Sequence, residues 1–445
     1  MAMQTRKSTQ RERLLNGMVE VANRHGYVGA SVSAVIAEAG VSRPTYYDYF
    51  ADRDDCFTAA IWDVHGELRS AVAAALAECP PEDATGAAIT ALVEFAGKHP
   101  ARARFLFGES MTGGRTALAA RDEGIAAIAD DIAGVTGSAT PSTRVCDVNP
   151  RIVLGSIYRL IATRLRRGEA AISSLRDDLL EWLSAYEVPA RHRRWQELEP
   201  STVPARSPHL PDTPPLQQTP RLLPPGRPRI SEAEVTENHR ARVLHAVSRL
   251  AEEKGYLETT IADITRLARI DGKVFYRLFA DKQEAFAAVH EVGFQLVMDV
   301  TSKAFFGVDG WPRRSWEAGQ ALTQLLQENP RIARIGFVEA YAVGPGAVQR
   351  IEDSHTAFMF FFQEGLIQSA ASPPPSRIAM EAMISAVFEI IYLQARSPGE
   401  PQVASMLPQI AHLWLTPFLG ADESNAFIDA QMEVAASSPR RVAAG

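Results

Sequence analysis

The sequence predicts an all-α protein made of two tandem helical modules, and three observations carry that expectation. Apolar residues recur at helical spacing, as in Leu14, Leu15, Met18, Val21 and Ala22 and then Val32, Val35, Ile36 and Ala39. No run outside one Pro-rich stretch alternates apolar and polar residues with period two between turn residues. The chain also repeats itself. Residues 11–59 laid over 240–288 with a constant shift of 229 give thirteen identities in 49 positions, where average residue usage would give roughly three.

The repeat continues downstream with a shift of 230, where "ALVEFAGKHPARARFLFGES" lies over "ALTQLLQENPRIARIGFVEA", and "WLSAY" at Trp182 later faces "WLTPF" at Trp414. A repeat of this length is a duplicated module of about 200 residues and not a solenoid unit. Ten prolines between Pro200 and Pro228, mixed with Ser, Thr, Gln and Arg, cannot build a helix or a core and read as an extended, semi-rigid linker. The expected domains are a first head at 1–55, a first helical domain at 56–190, the linker at 191–230, a second head at 231–284, a second helical domain at 285–422 and a tail at 423–445.

Composition narrows the function. A formal net charge of −7 excludes a protein coated in basic surface, so any nucleic-acid contact must be a local patch. Cys56, Cys79 and Cys146 lie far apart without metal-ligand spacing, which suits a reducing cytoplasm and small buried side chains. The start "MAMQTRKSTQRERLL" lacks the apolar run of a signal peptide. The most apolar stretch, "RIAMEAMISAVFEIIYLQA", is interrupted by Glu381 and Glu389, so no membrane span is expected.

Residues 31–50 read as two short helices joined by a tight turn. Ser31 or Ser33 can cap the first helix. Gly40 suits a left-handed turn residue, and Val41 fills the angle between the helices. Ser42 is a good cap for the second helix, and Pro44 in its first turn loses no hydrogen bond there. Arg43, Thr45, Tyr47 and Tyr49 fall on its polar side, while Tyr46 and Phe50 are spaced to pack inward. Arg can read a guanine edge, Tyr and Thr hydroxyls can bond phosphates, and Arg53 begins the next helix where a phosphate could lie.

This arrangement resembles the TetR family of bacterial regulators, through Gly26-Tyr27, the helix from Ser31 to Gly40, "VSRPTYYDYF" and the following Asp52-Arg53. The resemblance implies that Arg43, Pro44, Thr45, Tyr47, Tyr49 and Arg53 face DNA and that Tyr46 takes a buried place. Tyr49 stands where the family commonly has histidine. The motif spans about 47 residues at the start of each module; the helical remainder is similar only in layout.

The second copy keeps the frame and changes the face. Asp271 is its cap, Gly272, Lys273, Val274, Tyr276, Arg277 and Lys282 fall on the outer positions, and Phe275 and Phe279 on the inner ones. Two departures weaken it: Arg269 replaces the turn glycine, and Leu278 replaces a polar residue. Basic arms precede both heads, Arg6, Lys7 and Arg11 in "TRKSTQRER" and Arg227 and Arg229 in "PPGRPRI"; such arms can enter a minor groove. The expected partner is double-stranded DNA.

The second half of each module is rich in aromatics, which points to a small apolar or aromatic ligand as a second partner. Phe105, Phe107, Glu109, Tyr158, Phe337, Glu339, Tyr341 and Phe388 are the candidate pocket residues. Histidines are scattered without metal spacing, and there is no GxSxG, P-loop or GxGxxG; no metal, cofactor or catalytic residue is expected, and the chain reads as a non-enzyme. Because both heads lie on one chain, the modules are expected to pair within it and to act on an asymmetric DNA site, most simply as a repressor in the cytoplasm. The competing reading is a helical ligand-binding or scaffold protein on a duplicated regulator frame with one or both heads degenerate.

Overall fold

The computed structural model describes residues 2–169, 172–192, 203–212, 216–223, 230–369, 371 and 373–437, without the side chains of residues 2–8. Arg227 and Arg229, and the side chains of Arg6 and Lys7, lie outside the described residues. The chain divides into two compact units. The first holds residues Met1–Glu197, Ala370–Glu389 and Thr416–Ala421; the second holds Leu198–Ser369, Ile390–Leu415 and Asp422–Gly445. Two stretches that the repeat assigns to the second copy therefore belong to the first unit.

The first unit runs through α1 (Ala2–Gly29), α2 (Val32–Ala39), α3 (Arg43–Tyr47), α4 (Arg53–Glu78), α5 (Ala84–Lys98), α6 (Pro100–Phe107), α7 (Arg115–Thr136), α8 (Pro150–Arg166) and α9 (Leu175–Ser184). The helix starts follow the capping residues. The Ser31, Ser42 and Asp52 side chains accept from the amides of Ala34, Thr45 and Asp55. The core is built from the apolar stripes of these helices, with Phe57, Phe105, Phe107, Tyr158 and Trp182 fully buried.

One element departs from the all-helical expectation. β1 (Arg144–Cys146) pairs antiparallel with β2 (Glu187–Pro189), Val145 opposite Val188. Strands of three residues are too short to show an alternation in sequence. The fold class is all-α apart from this ribbon.

The second unit runs through α10 (Glu232–Lys254), α11 (Ile261–Ala268), α12 (Gly272–Leu278), α13 (Lys282–Phe306), α14 (Trp311–Glu328), α15 (Pro330–Arg334), a π-helical turn (Ile335–Glu339), α16 (Ala340–Val343), α17 (Pro345–Phe358) and α18 (Gln363–Gln368). The boundary between the units falls within α19 (Arg377–Arg396) and α20 (Leu407–Leu419), and α21 (Ala421–Ser437) closes the chain. By length and composition α19 would cross a bilayer, but 78% of its most apolar window is buried inside the protein, as in a core helix.

The described part of the Pro-rich segment is non-helical, and it is docked. The Ser207 amide donates to Gln324 Oε1 at 2.8 Å, Gln320 and Gln324 donate to the Ala205 carbonyl, and Arg206 pairs with Glu328. Leu210 and Leu216 are buried. Prolines leave carbonyls without a ladder partner, and the glutamines of α14 satisfy them.

Candidate nucleic-acid interface

In each unit the first three helices form a head whose second and third helices meet at a tight turn. Gly40 caps α2 in the left-handed region, at φ 59°. Arg269 does the same for α11 at φ 51°, the one non-glycine among the described residues with positive φ. An arginine holds each turn from the first helix of its head: Arg13 donates to the Gly40 carbonyl at 2.8 Å and Arg242 to the Arg269 carbonyl at 2.6 Å. These two arginines occupy equivalent positions of the repeat. A second equivalent pair lies on the buried aromatics, with Arg11 5.9 Å from the Phe50 ring and Arg240 5.2 Å from that of Phe279. Arg11, expected in a basic arm ahead of the first helix, is thus helical and part of the frame.

The third helices of the two heads, α3 and α12, present one pattern of exposure. Ser42, Arg43, Pro44 and Tyr47 are exposed, as are Asp271, Gly272, Lys273 and Tyr276; Thr45 and Tyr49 are half-buried, as are Val274 and Leu278. Tyr46 and Phe275 are fully buried, and Phe50 and Phe279 nearly so. Tyr46 also donates to the Asp52 carbonyl at 2.9 Å, which Phe275 cannot do. Arg43 reaches the Tyr47 hydroxyl at 3.5 Å and covers its ring, and Tyr49 donates to Gln10 at 3.4 Å. Charge differs between the faces: α3 carries Arg43, with Asp48 just beyond its end, whereas α12 carries Lys273 and Arg277, with Asp271 just before its start.

The cations assigned to phosphates sit at the joint between head and remainder. Arg53 lies 4.2 Å from the Tyr27 ring and pairs with Asp54, which also accepts from the Tyr27 hydroxyl. Lys282 donates to the carbonyls of Tyr256 and Thr259, both at 2.9 Å, and lies 4.0 Å from the Tyr256 ring. Burial holds its ammonium pKa below the usual range. This ammonium is occupied by the protein's own acceptors, a role that residue type and position alone did not reveal.

Gly26 and Gly255 turn the chain at that joint with φ 69° and 89°. Glu339, at the end of the π-helical turn, accepts from the Tyr256 amide at 2.8 Å and pairs with Arg334 at 3.3 Å. Glu109 accepts from the Thr112 hydroxyl at 3.4 Å, and burial raises its carboxyl pKa. The two carboxylates expected in a pocket therefore stand beside equivalent Gly-Tyr corners.

The aromatic pocket candidates pack within the protein. Phe105 contacts Phe57 and Phe107 contacts Tyr158, with ring centroids 5.1 and 4.3 Å apart. Phe337, Tyr341 and Phe388 are buried. A groove of about 510 Å³ does open beside α4 and α5, lined by Ala71, Ala75, Cys79, Ala91, Phe95 and His99 among others; none of the eight candidate residues lines it.

Residues 14–60 and 243–289 both match the family described as bacterial regulatory proteins, tetR family. Among solved structures, the chain is similar to a regulatory protein of the tetR family from Rhodococcus RHA1, at 20% identity and TM-score 0.36 over 41% of this chain and 98% of the other. A putative TetR-family transcriptional regulator from Syntrophomonas wolfei is similar at 15% identity and TM-score 0.31, over 46% and 98% of the two chains. A TetR-family regulator from Pectobacterium atrosepticum is similar at 21% identity and TM-score 0.28, over 47% and 100%. No curated protein matches the chain. The two family matches begin three residues into each frame of the internal repeat, so the chain carries two tandem segments of tetR type, one at the start of each copy.

Proposed function

We propose that the chain is a DNA-binding repressor in which two unequal heads on one polypeptide pair with each other and read an asymmetric operator, under control of a small apolar or aromatic ligand. The observation that carries the reading is that α3 and α12 share one exposure pattern with different side chains. Arg43, Pro44, Thr45, Tyr47 and Tyr49 form the first reading face; Gly272, Lys273, Val274, Tyr276 and Arg277 form the second. Ser42 caps the first helix, and its N-terminal amides offer a phosphate site. Residues 370–389 and 416–421 belonging to the first unit support the pairing within one chain. The groove beside α4 and α5 is the candidate ligand entrance in the first sensor domain. The domain boundaries set out from the sequence belong to this proposal, as does the cytoplasmic location that a DNA partner implies.

A mobility-shift titration with a fragment pool containing the DNA around its own gene tests this. Arg43→Ala and Lys273→Ala should each weaken the shift at the selected site. A second reading, in which the second head is degenerate, draws on the left-handed Arg269 and on Leu278; a loss confined to Arg43→Ala would favour it. Unchanged shifts with both variants would reject the DNA reading.

A further inference from the structure

Laid over α8 with a shift of 230, α19 sets Ile157 over Val387, Tyr158 over Phe388, Arg159 over Glu389 and Ile161 over Ile391. They are the same helix of the two copies. Within the first unit, the two residues at equivalent positions bond to each other: Arg159 Nε donates to Glu389 Oε2 at 2.9 Å across a sequence separation of 230. In a two-fold pairing, a residue meets its own counterpart only at the axis. Arg159 is 6% exposed and Glu389 1%, and the fully buried Arg121 lies 3.7 Å from the other carboxylate oxygen. Burial pushes the Glu389 carboxyl upward, and Arg121 and Arg159 more than offset it, so the group is held ionised.

We propose that Arg159 and Glu389 are a pairing key, which admits the first copy against the second and rejects either copy against its own kind. The proposal rests on the intrachain pairing put forward above. If the first copy paired with itself, two Arg159 side chains would meet at the axis with no glutamate between them, beside two Arg121 that each keep Asp122 at 3.0 Å. If the second copy did so, two Glu389 carboxylates would meet, and the position equivalent to Arg121 is the buried Ile351. A buried charge without its partner is far more costly than an exposed one, so the rejection acts at the axis.

Shape agrees with charge. A Cβ on Gly155 would lie 2.3 Å from Glu389 Cδ, so the glutamate as placed, bonded to Arg159, has room against a glycine and would have to shift against any larger residue. The second copy has Ser385 at that position. Its self-pairing would press a serine Cβ onto each carboxylate, while copy one against copy two supplies the glycine. Arg164 and Glu381 add a second ion pair between the same two helices.

The test uses full chains with opposite reversals. Arg159→Glu gives a chain with glutamate in both copies, and Glu389→Arg gives a chain with arginine in both. Each alone should lose roughly 10 °C of melting temperature, because its copies reject each other. Mixed or co-expressed, the two chains should form a stable two-chain complex in equal proportion, seen by sedimentation, while the wild-type chain exchanges no subunits. Should either variant fail to fold alone, rescue only on co-expression carries the proposal. Single variants as stable as the wild type, or no complex on co-expression, would overturn it. A wild-type protein that is itself a two-chain dimer would reject intrachain pairing, while reversals that still cross-complement would retain the key.

Discussion

The two heads show which residues a helix-turn-helix demands and which it leaves to function. Positions that hold the frame agree in both: Arg13 and Arg242 on the turn carbonyl, Gly26-Tyr27 and Gly255-Tyr256 at the corner, and Phe50 and Phe279 under the reading helix. Most positions that face outward differ, with Arg43, Pro44 and Thr45 against Gly272, Lys273 and Val274, while Tyr47 and Tyr276 agree. Duplication preserved the physics of packing and released the chemistry of the surface. The first head presents hydroxyls and one arginine, whereas the second presents two cations and carries a left-handed arginine at its turn.

The largest effects should come from the shared frame. Tyr46→Ala and Phe275→Ala each remove a fully buried ring and should cost about 3–5 kcal/mol of head stability, read by hydrogen exchange of α2–α3 or α11–α12. Tyr46→Phe should cost only about 1 kcal/mol, since it loses one hydrogen bond to Asp52. A head that tolerates the alanine change would show that its ring is not what holds the reading helix in place.

The outward faces come next. Arg43→Ala should weaken operator binding by about 1–3 kcal/mol and relax preference at one base pair. Lys273→Ala with Arg277→Ala should lower the salt dependence by about two units if both meet phosphates. Equal loss of base preference from both sets of changes would erase the difference drawn between the faces.

Acid should separate the units. Burial, aided by Arg121, depresses His65 in the first unit to about 3; burial, aided by Arg350, depresses His290 in the second to about 4. The unfolded chain takes up these protons near pH 6.5, and the folded chain does not until the depressed values. Each histidine therefore removes stability as pH falls below about 6.5, by up to about 1.4 kcal/mol per unit. The loss stops near pH 4 for His290 and continues to about 3 for His65. Thermal unfolding from pH 7 to 3 checks this, and His65→Leu should flatten the slope of the first unit alone.

The turn gives the smallest contrast. Gly40→Ala places a Cβ 2.7 Å from the Arg13 guanidinium in a left-handed residue and should cost about 1–2 kcal/mol. Arg269→Gly relieves the same conformation and should change stability by less than about 1 kcal/mol, since glycine also loosens the unfolded chain. A large loss from Arg269→Gly would mean that its side chain does more than occupy the turn.

Local chemistry makes the heads legible in the sequence itself. Ser31, Ser42, Asp52 and Asp271 announce helix starts, Gly40 announces the turn, and the alternation of Tyr46 and Phe50 with polar neighbours announces the buried side. Features that depend on distant partners are not legible in this way. Lys282 reads as a phosphate ligand because nothing in the sequence shows the Tyr256 and Thr259 carbonyls around it. Glu109 and Glu339 read as pocket acids because the fold alone brings the corners at Gly26 and Gly255 beside them. Arg159 and Glu389 give no signal, since their meaning lies in a contact across 230 residues.

The most direct test of two unequal heads on one chain is binding-site selection from random duplexes, with the chain-to-duplex ratio measured on the selected site. Two unequal heads on one chain should select a consensus without two-fold symmetry, bound by one chain, whose halves respond separately to Arg43→Ala and Lys273→Ala. A perfect palindrome occupied by two chains through their first heads, indifferent to Lys273→Ala, would contradict it.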